Sequence, residues 1–355
     1  MDNLQVIKDK LATYQPIMGV DLTDCVFNKA SLVGGVFINC TFSNCVFEDC
    51  DLTRVVFTQC DFTGATINSC LLHQASFIQC DFKGALWQSN CEMATLSECD
   101  FTGGSWQSII LKSSTLHLCN FTDVTFNQCQ WDTVTLSEIV SDHATYNHCV
   151  FYNIVWLKTD FKTIKLIECS FTQALLLECD LSGQDFTHIT LKHCTLNESV
   201  FIGTIFKQAD LFSSNFSKCT LTDVDFSHAL LKQALFIEST ITDCKFDQAD
   251  LSNSNFQDAD IESSSFIQCP MSQVWMKNIK AKLTNFSAAD LSYSNLSYGE
   301  LEACDFSHCT LLRTVIHQIK EKDCTWSGTD QSQLMRTDDE QQHIDEKLET
   351  FGVSP

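Results

Sequence analysis

Cysteine offers this chain its most reactive chemistry, and it recurs at a fixed interval: in FINCTFSNCVFEDCDL (37–52), Cys40, Cys45 and Cys50 lie five residues apart. Regularly spaced thiols suggest a metal centre, a disulfide ladder or a redox role. A structural zinc site needs four ligands that converge, and an even run along the chain does not cluster them. A disulfide ladder needs an oxidising compartment, yet the opening MDNLQVIKDKLATY has neither a basic n-region nor an apolar h-region. The remaining option is that the thiols fill space, which depends on the elements that hold them.

Those elements follow the same interval. A large apolar residue occupies every fifth position from Leu22 through Phe27, Leu32, Phe37, Phe42, Phe47 and Leu52 to Trp87. One residue is then missing, and the pattern restarts at Cys91 and runs to Trp326, giving 62 units whose central residue is large and apolar except at Cys91, Ser141, Ala281 and Glu321. Only Phe212 and Phe351 of 27 phenylalanines stand off it. A helix repeats at 3.6 residues and a flat strand at 2, so neither produces this period. Of the 21 cysteines, all but Cys91 stand two residues before a central residue, a position otherwise held, save at Gln184, by small or β-branched residues such as Gly35, Val55, Ala65, Ile154 and Ser214. A site that takes Cys or Ala alike selects for size, so the expectation is reduced, core-filling thiols, with no metal or other cofactor, in a cytoplasmic protein.

The unit A/C-D/N-L/F-S/T-x, seen in ADLSNSNFQDADI (249–261), CDFTGATI (60–67) and AADLSYSNL (288–296), resembles the pentapeptide-repeat proteins. The resemblance covers residues 20–326 and implies an all-β fold, a right-handed quadrilateral β-helix with four pentapeptides per coil. Its small and large positions point inward and the other three outward. A solenoid of stacked layers needs caps. Residues 1–19 hold Leu4, Ile7 and Leu11 at helical spacing behind Asp2 and Asn3, an N-terminal helical cap. Residues 327–355, with Ile344, Leu348 and Phe351, form an acidic C-terminal segment, either a helix or a disordered tail.

Function must then reside on the outward positions. No nucleophile elbow, phosphate-binding glycine loop or HExxH is present, and the ten histidines are scattered, so no catalytic residue is expected. Formal charge is −23, which disfavours direct nucleic-acid binding, and no segment suggests a membrane anchor. With residues 20 apart stacking in columns, the face centred on 101, 121 and onward to 301 gathers Asp100, Asp123, Asp142, Asp160, Asp180, Asp223, Asp243, Asp260, Glu262, Glu300 and Glu302. Such an acidic ridge is either a solvated face or a mimic of a phosphate backbone. Val150, Tyr152, Val155, Leu157, Ile167, Leu175 and Leu177 put apolar residues where most coils are polar, a candidate partner-binding patch with Lys158, Lys162 and Lys165 nearby. In QVWMKNIKAKLTN (273–285), Trp275, Lys277, Lys280 and Lys282 mark either a distorted coil or a five-residue excursion that preserves register, or else a recognition loop with an aromatic anchor.

Two functions are implied by resemblance. One is a non-enzymatic scaffold or adaptor that binds protein partners, since the opening helix followed by PIMGVDL is similar to pentapeptide-repeat proteins of bacterial type VI secretion clusters. The other is a DNA-mimicking regulator of DNA gyrase or another DNA-binding protein, as in the quinolone-resistance group. The scaffold is favoured, and pairing into a homodimer stays open.

Overall fold

The computed structural model describes the backbone of residues 3–337 and 339–350, and side chains over 6–337 and 342–347. Asp2 and Phe351, and the side chains of Asn3, Leu4 and Leu348, lie outside the described residues. The chain divides into two compact units, Met1–Asp180 and Leu181–Pro355. In each, the pentapeptides wind as a four-sided parallel β-helix.

The unit 41–45 shows how five residues make one side of a coil. Thr41 N–H donates to Val20 in the coil below (3.0 Å), while Phe42 N–H and Asn44 N–H donate to Asp61 and Thr63 in the coil above (2.6 and 2.8 Å). Cys45 N–H closes the corner onto Phe42 O at 3.0 Å. The fourth residue turns the chain in the left-handed region, with φ of 55° at Asn44. That conformation costs a non-glycine residue about 1–2 kcal/mol. Even Leu118, Leu283 and Tyr293 adopt it, with φ of 53°, 52° and 61°. The inter-coil hydrogen bond made by the same residue offsets the strain, at roughly 0.5–1.5 kcal/mol net each, together with the core burial that the corner permits.

The donor left over belongs to the residue after the centre. Where Asp or Asn precedes the centre, its carboxylate or amide oxygen accepts that N–H, as in Thr63 N–H to Asp61 (2.8 Å), Ser217 N–H to Asn215 (2.9 Å) and Ser292 N–H to Asp290 (3.0 Å). Many of these sides are tied by single bridges, as are sides led by Ile205, Leu230 and Trp275, while others extend to three-residue strands, Asp260–Glu262 among them. In the first unit one parallel sheet runs from Ile17–Met18 to Leu175–Leu177, a second from Val26–Asn28 to Lys165–Ile167, and a third from Cys91–Glu92 to Ser170–Thr172. In the second unit one sheet of seven strands runs from Val200–Ile202 to Lys320–Lys322, and bridges such as Asp225↔Lys245, Asp290↔Thr310 and Asn295↔Val315 tie other sides. Partners stand 20 residues apart, as in Val155↔Leu175, and 19 apart across the missing residue, as in Ser76↔Thr95.

Inside, central residues stack face on face. Ring centroids are 4.8, 4.7 and 4.9 Å apart along Phe42, Phe62, Phe82 and Phe101, and 4.7 and 4.5 Å along Phe226, Phe246 and Phe266. Each such pair adds about 0.5–1.5 kcal/mol beyond the area it buries. The small position does more than fill space: Cys45 Sγ–H donates to Leu22 O (2.9 Å), Ser239 Oγ–H to Phe216 O and Thr314 Oγ–H to Leu291 O (both 2.7 Å). In every case the acceptor is the central residue of the coil below, so Cys, Ser and Thr interchange as short donors. Burial pushes the Cys45, Cys70 and Cys91 thiols up to about 12, away from the reactive thiolate.

The ends differ. Helix α1 (Asn3–Ala12) buries Ile7, and Leu11 packs so tightly on Gly35 that a Cβ there would lie 2.8 Å from Leu11 Cδ2. At the other end the final strand, Lys320–Lys322, is exposed throughout, with Glu321 in register above Leu301 at a core position and hydrogen-bonded by Trp326 Nε1–H (3.0 Å). An inward carboxylate flanked by lysines opposes the addition of another coil. Within the C-terminal segment, Asp339–Thr350 forms helix α2.

Nineteen cysteines are buried, and Cys25 and Cys324 are partly exposed. A thiol reagent at neutral pH should therefore label at most these two quickly in the native protein and all 21 after denaturation; rapid native labelling of more would contradict the arrangement.

Candidate interaction faces

Pairing of rungs decides which outward residues meet. Val155 stands beside Leu175 and Leu157 beside Leu177 on adjacent strands of one sheet, all four half-buried. The three rungs below them on that sheet present Thr95 and Ser97, Thr115 and His117, Thr135 and Ser137. The polarity of the face therefore changes abruptly at Val155. Val150 and Tyr152, each 46% exposed, lie around the corner on the neighbouring sheet, level with Ser170 and Thr172. Ile167 is on the side opposite the quartet, next to Asn147. The seven candidates thus form one quartet, one flanking pair and one isolated residue. Lys158 at the quartet's edge pairs with Glu178 (3.6 Å), and Lys162 with Asp180 (2.7 Å) and Asp160 (3.4 Å).

The acidic candidates are less bare than their spacing suggests. In the first unit Asp100 accepts from Thr102 N–H (3.0 Å) and pairs with Lys83 (3.1 Å), and Asp160 accepts from Lys162 N–H (2.9 Å). Turn hydrogen bonds from Thr102 and the Lys83 ammonium outweigh burial and hold the Asp100 carboxyl below its ordinary range. Asn120 and Val140 break the column between Asp100 and Asp160. Asp123 and Asp142 stand beside each other in the ladder, Asp123 N–H donating to Asp142 O. In the second unit Asp223 and Asp243 occupy corners with φ of 52° and 55°.

The remaining acids join the lysines of 273–285. Asp260 and Glu262, Lys280 and Lys282, Glu300 and Glu302, and Lys320 and Lys322 occupy successive rungs of one sheet. Their charges alternate along two rails, with Lys282 to Glu262 at 3.8 Å, Lys320 to Glu300 at 2.9 Å and Lys322 to Glu302 at 2.7 Å. The paired lysines lower the Glu300 and Glu302 pKa values. Any stability these pairs contribute is present above the ordinary glutamate pKa and fades as pH falls through the lowered values. They are exposed, so salt screens them.

The sequence therefore misleads at 273–285: the segment is neither a distorted coil nor a loop. Met276 and Ala281 are buried at their central positions, and the ladder continues through Trp275, Met276, Asn278 and Lys280. Trp275 and Lys277 are on one side of the coil, and Lys280 and Lys282 are on the next. Trp275 is 43% exposed, and Lys277 Nζ lies 5.0 Å from the centroid of the Tyr298 ring.

Tyr298 leads to a cluster that sequence reasoning missed. Its hydroxyl donates to Asp345 Oδ2 of α2 (2.5 Å), which also accepts from Gln318 Nε2–H (3.1 Å) and lies 3.0 Å from His317 Nε2. His317 and Asp345 are both buried. Three side chains on two coils thus converge on one carboxylate oxygen and hold α2 against the side of the repeat array. Nothing local marks the cluster, because Asp345 is 28 residues from His317 and lies in a segment read only as acidic. Among the described residues, no group of three or more His, Cys, Asp or Glu side chains is arranged to hold a metal ion, and no helix is long and apolar enough to cross a membrane.

A parallel coil of pentapeptides, each giving one side of a four-sided turn, defines a class of repeat protein. The sequence matches two family profiles, "Pentapeptide repeats (8 copies)" over 21–59 and 57–103 and "Pentapeptide repeat region" over 169–243 and 239–316, and the chain belongs to the pentapeptide-repeat family. Similar solved structures include HetL, a pentapeptide repeat protein involved in heterocyst differentiation regulation from the cyanobacterium Nostoc sp. strain PCC 7120, at 15% identity over 75% of this chain and 97% of that one (TM-score 0.22). Full-length QnrB1, a plasmid-mediated fluoroquinolone resistance protein, is 14% identical over 68% of this chain and 91% of its own (TM-score 0.18). A pentapeptide repeat protein of the Arabidopsis thaliana thylakoid lumen is 28% identical over 32% and 65% (TM-score 0.19). No curated protein matches the chain.

Replacing Asp345 by Ala leaves His317 and Tyr298 facing each other without their acceptor. Hydrogen bonds to a charged group are worth about 1.5–3 kcal/mol each, so amide exchange across Asp339–Thr350 should rise more than tenfold while the coils stay protected; unchanged exchange in α2 would show that other contacts hold it.

Proposed function

We propose that this chain is a non-enzymatic interaction scaffold, an adaptor whose protein partner docks on the quartet Val155, Leu157, Leu175 and Leu177 with Val150 and Tyr152 at its edge. The observation that carries this reading is the change on one sheet from three polar rungs to two apolar ones. A repeat array has no structural need for outward leucines, because its coils are held by backbone ladders and inward stacks. Contiguous exposed apolar residues mark partner sites more often than scattered ones do.

The finer assignment, an accessory role in a bacterial type VI secretion system, rests on the opening helix and PIMGVDL. The net charge of −23 favours a second reading, in which the acidic positions mimic a phosphate backbone and engage DNA gyrase or another DNA-binding protein. The two separate by salt dependence. An apolar contact persists at high ionic strength, and a charge-based one is screened. In the second unit, lysines on alternate rungs already neutralise part of the acidic face, which supports the first reading.

The test is capture of partners from the native host's lysate by the tagged full-length chain at low and high salt, with mass spectrometry. Secretion components retained at high salt, and lost from the double variant Leu157→Ser with Leu177→Ser, are the expected outcome. Recovery of a topoisomerase that dissociates in salt, with the double variant still binding it, would transfer the function to the acidic positions.

A further inference from the structure

The central positions of the first unit are large and apolar except at Cys91 and Ser141. Ser141 takes the place of a large central residue in the column that carries Phe101, Phe121 and Phe161. Phe101 and Phe121 stack at 5.1 Å, and the stack ends there. The other three sides of the same coil are filled by Tyr146, Phe151 and Trp156, with Trp131 in the coil below; all four rings are fully buried. Tyr146 lies 5.7 Å from Trp156 and 6.3 Å from Trp131, ring centre to ring centre. Four polar atoms, Ser141 Oγ, Tyr146 Oη, Trp131 Nε1 and Trp156 Nε1, are buried there without a well-formed hydrogen bond to any described residue. Burial pushes the Tyr146 phenol well above its usual range, and the nearby Ser141 hydroxyl offsets part of that.

Buried polar groups are nearly always hydrogen-bonded, and a polar recess in a protein interior is filled by water that bridges them. One isolated unpaired hydroxyl would be unremarkable. Four in two adjacent coils, around the one central serine, indicate a site. We infer that the core beside Ser141 encloses at least one ordered water molecule, held between the Ser141 and Tyr146 hydroxyls and donated to by the indole N–H of Trp131 or Trp156. The water would replace the missing central side chain, in the coil whose outward residues include Val155 and Leu157.

The test has two parts, both on the full chain. A high-resolution crystal structure should show a density peak within hydrogen-bonding distance of Tyr146 Oη and at least one of the other three atoms; a continuous, empty recess there would overturn the inference. Tyr146→Phe, which keeps the ring and removes the hydroxyl, should lower the unfolding temperature by about 2–4 °C, because the water loses a partner. If the recess is dry, the same change removes an unsatisfied buried group, and an unchanged or raised unfolding temperature would count against the site.

Discussion

The hydrogen-bonded ladder between successive coils is the constraint on which the rest depends. Each side of a coil sends backbone N–H groups to the coils above and below, and the ladder closes only if the chain returns to the same side every 20 residues. That requires a corner every five residues, made in left-handed backbone by residues as poorly suited to it as Leu283 and Tyr298. The corner points the next small side chain inward, where a thiol or hydroxyl donates to a carbonyl of the coil below. What looks chemically suggestive in the sequence, regular cysteines and abundant aspartates, follows from this geometry. The thiols are weak donors in the wall of the core, and many aspartates accept the one backbone N–H that the ladder leaves over.

Once backbone and core account for these residues, the surface is free to vary, and its variation carries the information. On one sheet of the first unit, polar rungs give way to Val155, Leu157, Leu175 and Leu177. On the seven-stranded sheet of the second unit, acids and lysines alternate over four rungs and then stop at an exposed edge with a carboxylate at its core position. The first is a surface that water leaves poorly satisfied. The second is largely satisfied within itself, and its last rung discourages continuation of the stack.

The period of five was sufficient to anticipate the coil, the buried centres and the buried thiols, because inward positions are set by size and repeat without regard to neighbours. It also predicted the pairing of Val155 with Leu175, since a ladder with a 20-residue return leaves no choice of partner. It misjudged 273–285, where outward Trp275 and the lysines looked like an excursion; inward Met276 and Ala281 keep their places, and the outward side chains cost the ladder nothing. It also overstated the acidic ridge, because the same rule that stacks Glu300 and Glu302 places Lys320 and Lys322 beside them.

Local spacing therefore determined the coil, its register and the composition of its faces, because a five-residue rule is enforced at each corner by contacts that the repeat itself supplies. Tertiary structure alone decided where α2 docks and which polar groups in the core lack partners. Asp345 reaches Tyr298, His317 and Gln318 across 27 to 47 residues of sequence, and the buried polar atoms near Ser141 come from Tyr146 and two tryptophans on other sides of the coils. Both depend on side chains meeting from different coils or from a helix outside the array, and no periodicity encodes those meetings.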